Sequence, residues 1–409
     1  MTAIPELPNP QRRALDLVKE VAAEKGCRPY LVGGPVRDLL LGRPAIDIDL
    51  TLEDGAPVLA RALAKRVEGR VRSFPQFLTY KVTAEGLPEI DIATARKERY
   101  RAPGALPNVT EGKLKDDLLR RDFSINAIAM DLRDGSLHDP AGGERDLHER
   151  MIRVLHDQSF IDDPTRMFRA IRLATRLGFT LEDKTFTLMG EAIASGAFDT
   201  VSKERLWREL FLAMDEETAP RTLTELRNSG ALDALLSPSR GDVSTQIEEV
   251  ARLIEHDPSL DRYVLYTAVM LRGDTEAISR LEGSGFSQKR ARNTLAIVYD
   301  LERFQEALAG ARTERQRFRL YKSATPEMLS LIGAHKPEEA RGLARYQEFQ
   351  TFKLPLRGND LEVPGGPHVA KALERTREAV FNGEIPPDDA RTFAREIALK
   401  YLKEQRAET

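Results

Sequence analysis

A small α+β head followed by a long, multidomain helical remainder is the fold class this sequence predicts. Three observations predict it. Short apolar stretches with strand-like alternation crowd into roughly the first 145 residues. From about Ile161 onward nearly every segment carries helical periodicity instead. With 409 residues the chain exceeds one ordinary core, so two to four domains are expected.

Taken in order, "NPQRRALDLVKEVAAEKG" reads as an amphipathic helix opened by Asn9, with Pro10 at its first position. "PYLVGG" reads as a short buried strand ending at glycines. "PVRDLLLG" reads as a helix started by Pro35 and stopped by Gly42. "AIDIDLTL" alternates as a strand, and "FLTYKVTA" and "PEIDIATA" are two more, divided by a turn at Glu85-Gly86. Beyond them, "DDPTRMFRAIRLATRLGF" and "KERLWRELFLAM" open a helical series broken only by short Gly/Pro stretches.

Composition removes several chemistries. Charged residues make up 31% and hydrophobic residues 41%, and no low-complexity tract appears. Cys27 is the sole cysteine, so an internal disulfide and a cysteine zinc site are excluded. Six scattered histidines disfavour metal-hydrolase designs. No apolar signal core or membrane span is visible, which predicts a cytoplasmic protein with no membrane partner. At a net charge of −3, any nucleic-acid binding must use a local patch.

The stretch "LVGGPVRDLLLGRPAIDIDL" carries the chemistry. Asp47 and Asp49 are two apart on a strand and leave the same face, with Ile46, Ile48 and Leu50 on the other. Adjacent carboxylates repel, and a divalent cation relieves this; oxygen ligands without His or Cys favour Mg²⁺. Alone, Asp-x-Asp is more often a polar strand face. Gly33 and Gly34 shift that balance, ending a strand before a helix start, where backbone N–H groups suit a phosphate, and Arg37 adds a charged contact. Asp91 on a second acidic strand offers a third carboxylate for a two-ion site, with Glu89 on the same strand face as its competitor. One ion would activate a hydroxyl and the other would hold a triphosphate, which is nucleotidyl transfer.

These motifs resemble the nucleotidyltransferase superfamily that includes DNA polymerase β, and more closely the bacterial (class II) tRNA nucleotidyltransferase and poly(A) polymerase family. "DDLLRRDFSINAIAMDL", "DDPTRMFRAIRLATRLGF", "KERLWREL" and "LRGNDLEVPGGPHVAKAL" are similar to its further segments. The resemblance implies a polymerase-β-like head with a mixed sheet over residues 1–145. A helical neck that recognises the base (146–215), a helical body (216–340) and a tRNA-binding tail (341–409) would follow. It implies that Asp47, Asp49 and Asp91 hold two Mg²⁺ ions. Gly34, Arg37 and Arg121 would contact the nucleotide, Asn126 would sense the ribose, and Asp163 with Arg166 would read the base. The family usually has Glu-Asp where this chain has Asp162-Asp163.

The residues themselves agree about the neck. Arg166, Arg169, Arg172 and Arg176 recur every three or four positions as one cationic stripe, which would more often be a solvated face but here follows two acids. Asp and Arg together can meet the Watson–Crick edge of cytosine or adenine, each bidentate contact being worth roughly 1–3 kcal/mol of discrimination. His156-Asp157 and His256-Asp257 lack the further histidines of a phosphohydrolase and read as surface pairs. Trp207 reads as helix packing rather than a base platform.

The expected partners are ATP and/or CTP and the acceptor and TΨC arms of tRNA; the oligomeric state is left open. The segment between Asp91 and "RRDF" holds the family's flexible element, with Arg96, Lys97, Arg99 and Arg101 around Tyr100. Its pattern leans towards addition of the terminal A, with complete CCA addition close behind and CC addition third. "RQRFRLYKS" and "ARGLARYQEFQTFK" are candidate RNA contacts or plain helix surface. A poly(A) polymerase and a non-catalytic RNA-binding protein of this fold are the rival readings.

Overall fold

The computed structural model describes residues 9–44, 47–236 and 243–407. The chain divides into two compact units, Met1–Pro238 with Ser279–Gly285, and Ser239–Ile278 with Phe286–Thr409. Among the described residues no helix is long and apolar enough to cross a membrane.

In the first unit, α1 (Asn9–Lys25) leads into β1 (Tyr30–Val32), α2 (Gly34–Leu40), β2 (Ile48–Leu52), α3 (Ala56–Arg66), β3 (Arg70–Phe74), β4 (Thr79–Thr83) and β5 (Ile90–Thr94). A hairpin of β6 (Arg96–Arg99) and β7 (Asn108–Glu111) follows, then α4 (Leu114–Leu119), β8 (Ala129–Asp131), β9 (Leu137–His138) and α5 (Gly143–Glu149). The main sheet has the order β3-β4-β5-β2-β1-β8-β9. Only β2 and β5 run parallel; the remaining pairs are antiparallel, so the sheet is mixed. Ile48, Leu50 and Leu52 of β2 and Ile90 and Ile92 of β5 are buried with Leu59 and Leu63 of α3, and this fixes which face of the sheet is left for polar residues. Ile46, expected on the apolar face, lies outside the described residues.

Next in the chain come β10 (Met151–Ile152), α6 (Ser159–Asp162), α7 (Thr165–Leu177), β11 (Thr180–Leu181), α8 (Asp183–Ala194), α9 (Lys203–Asp215) and α10 (Ala219–Asn228). The expectation of purely helical chain after Ile161 is corrected at β11. Gly178, at φ 70°, ends α7, and Thr180 and Glu182 then donate backbone bonds to Arg150 and Ile152, forming a short parallel pair with β10. Part of the segment read as the flexible element is the β6–β7 hairpin.

The second unit is helical: α11 (Ser244–His256), α12 (Arg262–Met270), α13 (Ala277–Leu281, which runs into the first unit's second segment), α14 (Gln288–Gly310), α15 (Glu314–Ser323), α16 (Pro326–His335), α17 (Pro337–Thr351), α18 (Pro367–Phe381) and α19 (Ala390–Ala407). The aromatics interleaved with cations in 315–323 and 340–353 form its interior. Phe318, Tyr321, Tyr346 and Phe349 are all buried, and Phe318 lies 5.4 Å from Tyr346 and 5.1 Å from Phe349 between ring centres. They are therefore packing groups rather than a stacking platform for bases. The cations beside them line a cavity of about 260 Å³ with Arg315, Arg319, Lys322, Lys371 and Arg375 against Glu374 and Glu378.

Trp207 is fully buried on α9, its ring 5.5 Å from that of Phe211. Trp207→Ala is expected to lower the unfolding free energy by about 3–5 kcal/mol in a denaturant titration. A base-stacking role would instead weaken nucleotide binding at unchanged stability.

Candidate active site

One cavity of about 670 Å³ in the first unit gathers most of the residues singled out from the sequence. Gly33, Gly34, Arg37, Asp47, Asp49, Arg121, Asn126, Asp163, Arg166 and Arg169 all line it. Asp91 and Arg172 do not, although Arg172 lines a small neighbouring pocket with Arg37 and Arg169. Eight arginines and six carboxylates face the main cavity, with Tyr100, Leu106 and Pro107 of the β6–β7 hairpin as its apolar part.

The carboxylates are placed by the sheet. Asp49 of β2 is the register partner of Asp91 of β5, so both side chains leave the same face next to one another. Asp47 is exposed and sits just before β2 rather than within it. Burial pushes the Asp49 carboxyl up to about 6, and the charges of Asp91 and then Asp47 push the same way against Arg121 and Lys81. Asp91 is also raised, chiefly by burial. Its Oδ1 is buried and accepts no hydrogen bond, with Lys81 Nζ 3.6 Å away. This set is short of positive charge and composed of hard oxygens, so a divalent cation fits it. Among the described residues no group of three or more carboxylate, histidine or cysteine ligands already surrounds one point.

The glycines make room. Gly33 has φ 74°, and a Cβ there would stand 2.6 Å from Arg121 Nη1, so only glycine lets that guanidinium lie over the β1–α2 turn. Arg121 Nη2 in turn donates to Asp117 Oδ2 at 3.1 Å. Asp117 is fully buried, and burial alone would raise it, yet Arg121 and Arg120 hold it below the usual carboxylate range.

Arg37, 5% exposed, donates to Asn126 Oδ1 at 2.7 Å, and Asn126 Nδ2 donates to Asp122 Oδ1 at 2.9 Å. Arg169 of α7 completes the chain by donating Nε–H to Asp122 Oδ2 at 3.0 Å. Burial would raise Asp122, but Arg169 and Asn126 hold it far below the ordinary range. Farther along α7, Arg172 donates to Glu216 at 2.8 Å and to Glu209 at 3.4 Å, and Arg176 lies 3.5 Å from Glu216. The stripe is therefore largely neutralised by acids on and after α9.

The side chains of Asp163 and Arg166 do not pair with each other, although the Arg166 backbone N–H donates to the Asp163 carbonyl at 3.0 Å. Asp163 Oδ1 accepts from Thr165 Oγ1 at 2.7 Å and from Arg205 Nη2 at 2.9 Å, while its Oδ2 accepts nothing among the described residues. Arg166 is held by Ser159 Oγ at 2.8 Å, the Arg120 carbonyl at 3.0 Å and the Tyr100 hydroxyl at 3.4 Å. Its plane is fixed at the cavity wall. Arg205 and Asp122 are functional candidates the sequence reading passed over, though both lie inside its quoted motifs, "KERLWREL" and "RRDF". Glu89, the competitor of Asp91, points to Lys81 Nζ at 2.5 Å.

Residues 29–153 match the family model described as the poly A polymerase head domain. The chain is 32% identical to an A-adding tRNA nucleotidyltransferase of Geobacter sulfurreducens, over 94% of this chain and 46% of that protein. It thus spans about half the length of the curated relatives it matches. Among solved structures, a CCA-adding enzyme in apo form superimposes with a TM-score of 0.78 at 26% identity, covering 96% of this chain and 95% of that one. A tRNA nucleotidyltransferase complexed with a primer tRNA and an incoming ATP analogue superimposes with a TM-score of 0.69 at 30% identity, covering 83% of this chain and all of that one.

The raised Asp49 has a measurable consequence. Below about pH 4 both folded and unfolded states hold its proton; between there and about 6 only the folded state does, so folding loses stability as pH rises through that window. Asp49→Asn is expected to stabilise the metal-free protein by on the order of 1–2 kcal/mol above pH 6, with the gain vanishing towards pH 4 in urea titrations across pH.

Proposed function

Because the chain belongs to the tRNA nucleotidyltransferase and poly(A) polymerase family, we propose that it transfers a nucleoside monophosphate from ATP and/or CTP to the 3′ end of tRNA without a template. The observation that carries this reading is the cavity that joins Asp49 on the sheet, and Asp47 just before it, to Asp163 and Arg166. A-addition is favoured over complete CCA addition by the likeness to the A-adding Geobacter relative. A cytoplasmic setting goes with a tRNA substrate.

In this reaction the RNA 3′-hydroxyl attacks the α-phosphorus, the bond to the β-phosphate breaks and pyrophosphate leaves. Asp47, Asp49 and Asp91 would hold the metal. When bound, a pair of Mg²⁺ ions would acidify the attacking hydroxyl and offset the charge of the leaving pyrophosphate. Arg37 and Arg121 present charged donors beside the glycine turn, where the phosphates of the nucleotide would lie. Asn126, held between Arg37 and Asp122, would meet the ribose. Asp163 Oδ2 and the held fork of Arg166 offer an acceptor and donors to the base. In the second unit, the surplus of cations over acids in its cavity suits an RNA phosphate backbone.

Three tRNA substrates, ending before the first C, after it, or after the second C, distinguish the subtypes when ATP and CTP are offered separately. A-addition predicts lengthening by one residue of the third substrate alone, with ATP alone. A long A-tail on arbitrary RNA would mark a poly(A) polymerase. Asp47→Ala or Asp49→Ala is expected to abolish incorporation while circular dichroism stays that of the parent. Asp163→Ala and Arg166→Ala are expected to narrow the preference against GTP and UTP by about 10- to 100-fold, more than they weaken triphosphate binding.

A further inference from the structure

Lys81 of β4 lies directly opposite Asp91 of β5, and Asp91 lies beside Asp49 of β2. One row across the sheet therefore reads Lys81, Asp91, Asp49. The ammonium is drawn to one side of this row, 2.5 Å from Glu89 Oε1 but 3.6 Å from Asp91 Oδ1. At that distance it acts on Asp91 chiefly through its charge, the contact being longer than an ordinary hydrogen bond, and Asp91 Oδ1 is buried without a close donor. Resting on the metal reading given above, we propose that Lys81 is an internal competitor for the divalent cation at Asp91, and that Glu89 is not a ligand but the group that holds the ammonium off.

The electrostatics fix the signs. With Lys81 in place, an incoming cation meets an Asp91 whose charge is already partly answered, so the carboxylates take an ion weakly by themselves. Removing the ammonium makes the row more negative and should tighten the site. Neutralising Glu89 releases the ammonium onto Asp91 Oδ1, where the ion must displace it, and should loosen the site. With Lys81 gone, Glu89 has nothing left to restrain, so its own neutralisation should then cost little. A metal-ligating Glu89 would behave otherwise, because its loss would weaken the site with or without Lys81.

The experiment is a Mn²⁺ titration of the full chain at one fixed pH, reading the free ion by electron paramagnetic resonance, with thermal melts of each metal-free variant as the folding control. Lys81→Met is expected to tighten Mn²⁺ binding roughly three- to tenfold, Glu89→Gln to loosen it by a similar factor, and Glu89→Gln in the Lys81→Met background to change it less than about twofold. Lys81→Arg, which keeps the charge, should bind as the parent does. Unchanged or weaker binding by Lys81→Met overturns the proposal, as does an undiminished effect of Glu89→Gln in the double variant. A parent protein that binds Mn²⁺ no better than Asp49→Asn overturns the metal reading itself, and the assignment of Lys81 with it.

Discussion

The buried carboxylate of Asp122, alongside the bonds of Arg166 to Arg120 and Tyr100, ties the sheet-bearing part of the first unit to α7. It receives Asn126 from one side and Arg169 from the other, and Asn126 passes the connection on to Arg37. The short helix α2 that carries Arg37 has only seven residues and could not persist without tertiary support. Through Asp122, its one buried arginine is referenced to the thirteen-residue α7. Asp122 is 8% exposed and Arg169 42%, so removing Arg169 would leave a buried carboxylate short of its main counter-charge. The alignment of Arg37 with α7 thus rests on a charge-assisted chain rather than on apolar packing alone.

The same unit treats its carboxylates in two opposite ways. Asp122 and Asp117 are buried but answered by arginines, and both are held below the ordinary range. Asp49 and Asp91 are partly buried and left short of cations, and both are raised. Structural ion pairs explain the first two. The second two are a standing electrostatic cost with no structural benefit in sight, and this kind of imbalance concentrates at functional sites because a bound ion or substrate removes it.

What could be read from the sequence divides along the same physical line. Gly33, Gly34, Arg37, Asp47 and Asp49 were legible because their chemistry is local, a turn followed by a strand within seventeen residues. The adjacency of Asp49 and Asp91 depends on a parallel register between residues 42 apart in the chain, which local pattern does not specify. The arginine stripe of α7 was visible as a stripe, but its neutralisation was not, since Glu209 and Glu216 arrive from around a later helix. The aromatics of α15 and α17 stayed open between two readings for a related reason. An aromatic beside a cation is the pattern of a stacking platform and equally of an amphipathic helix, and only the burial of Phe318 and Phe349 decides between them. The β10–β11 pair was hidden because two residues are too few to establish an alternation.

Template-free choice of a base asks side chains to do what a nucleic-acid strand does, and the obstacle is entropy. Free Asp and Arg side chains adopt many rotamers and would accept several base edges with similar energy. If Asp163 and Arg166 read the base as proposed, this chain has removed the ambiguity beforehand. Arg166 is held by Ser159, Tyr100 and the Arg120 carbonyl, and Asp163 by Thr165 and Arg205, so each presents what remains of its bonding capacity in one orientation. A base that cannot match that orientation leaves a donor or acceptor unsatisfied inside the cavity, and the cost of that unmet group, rather than the strength of the right contact, is what would separate one nucleotide from another.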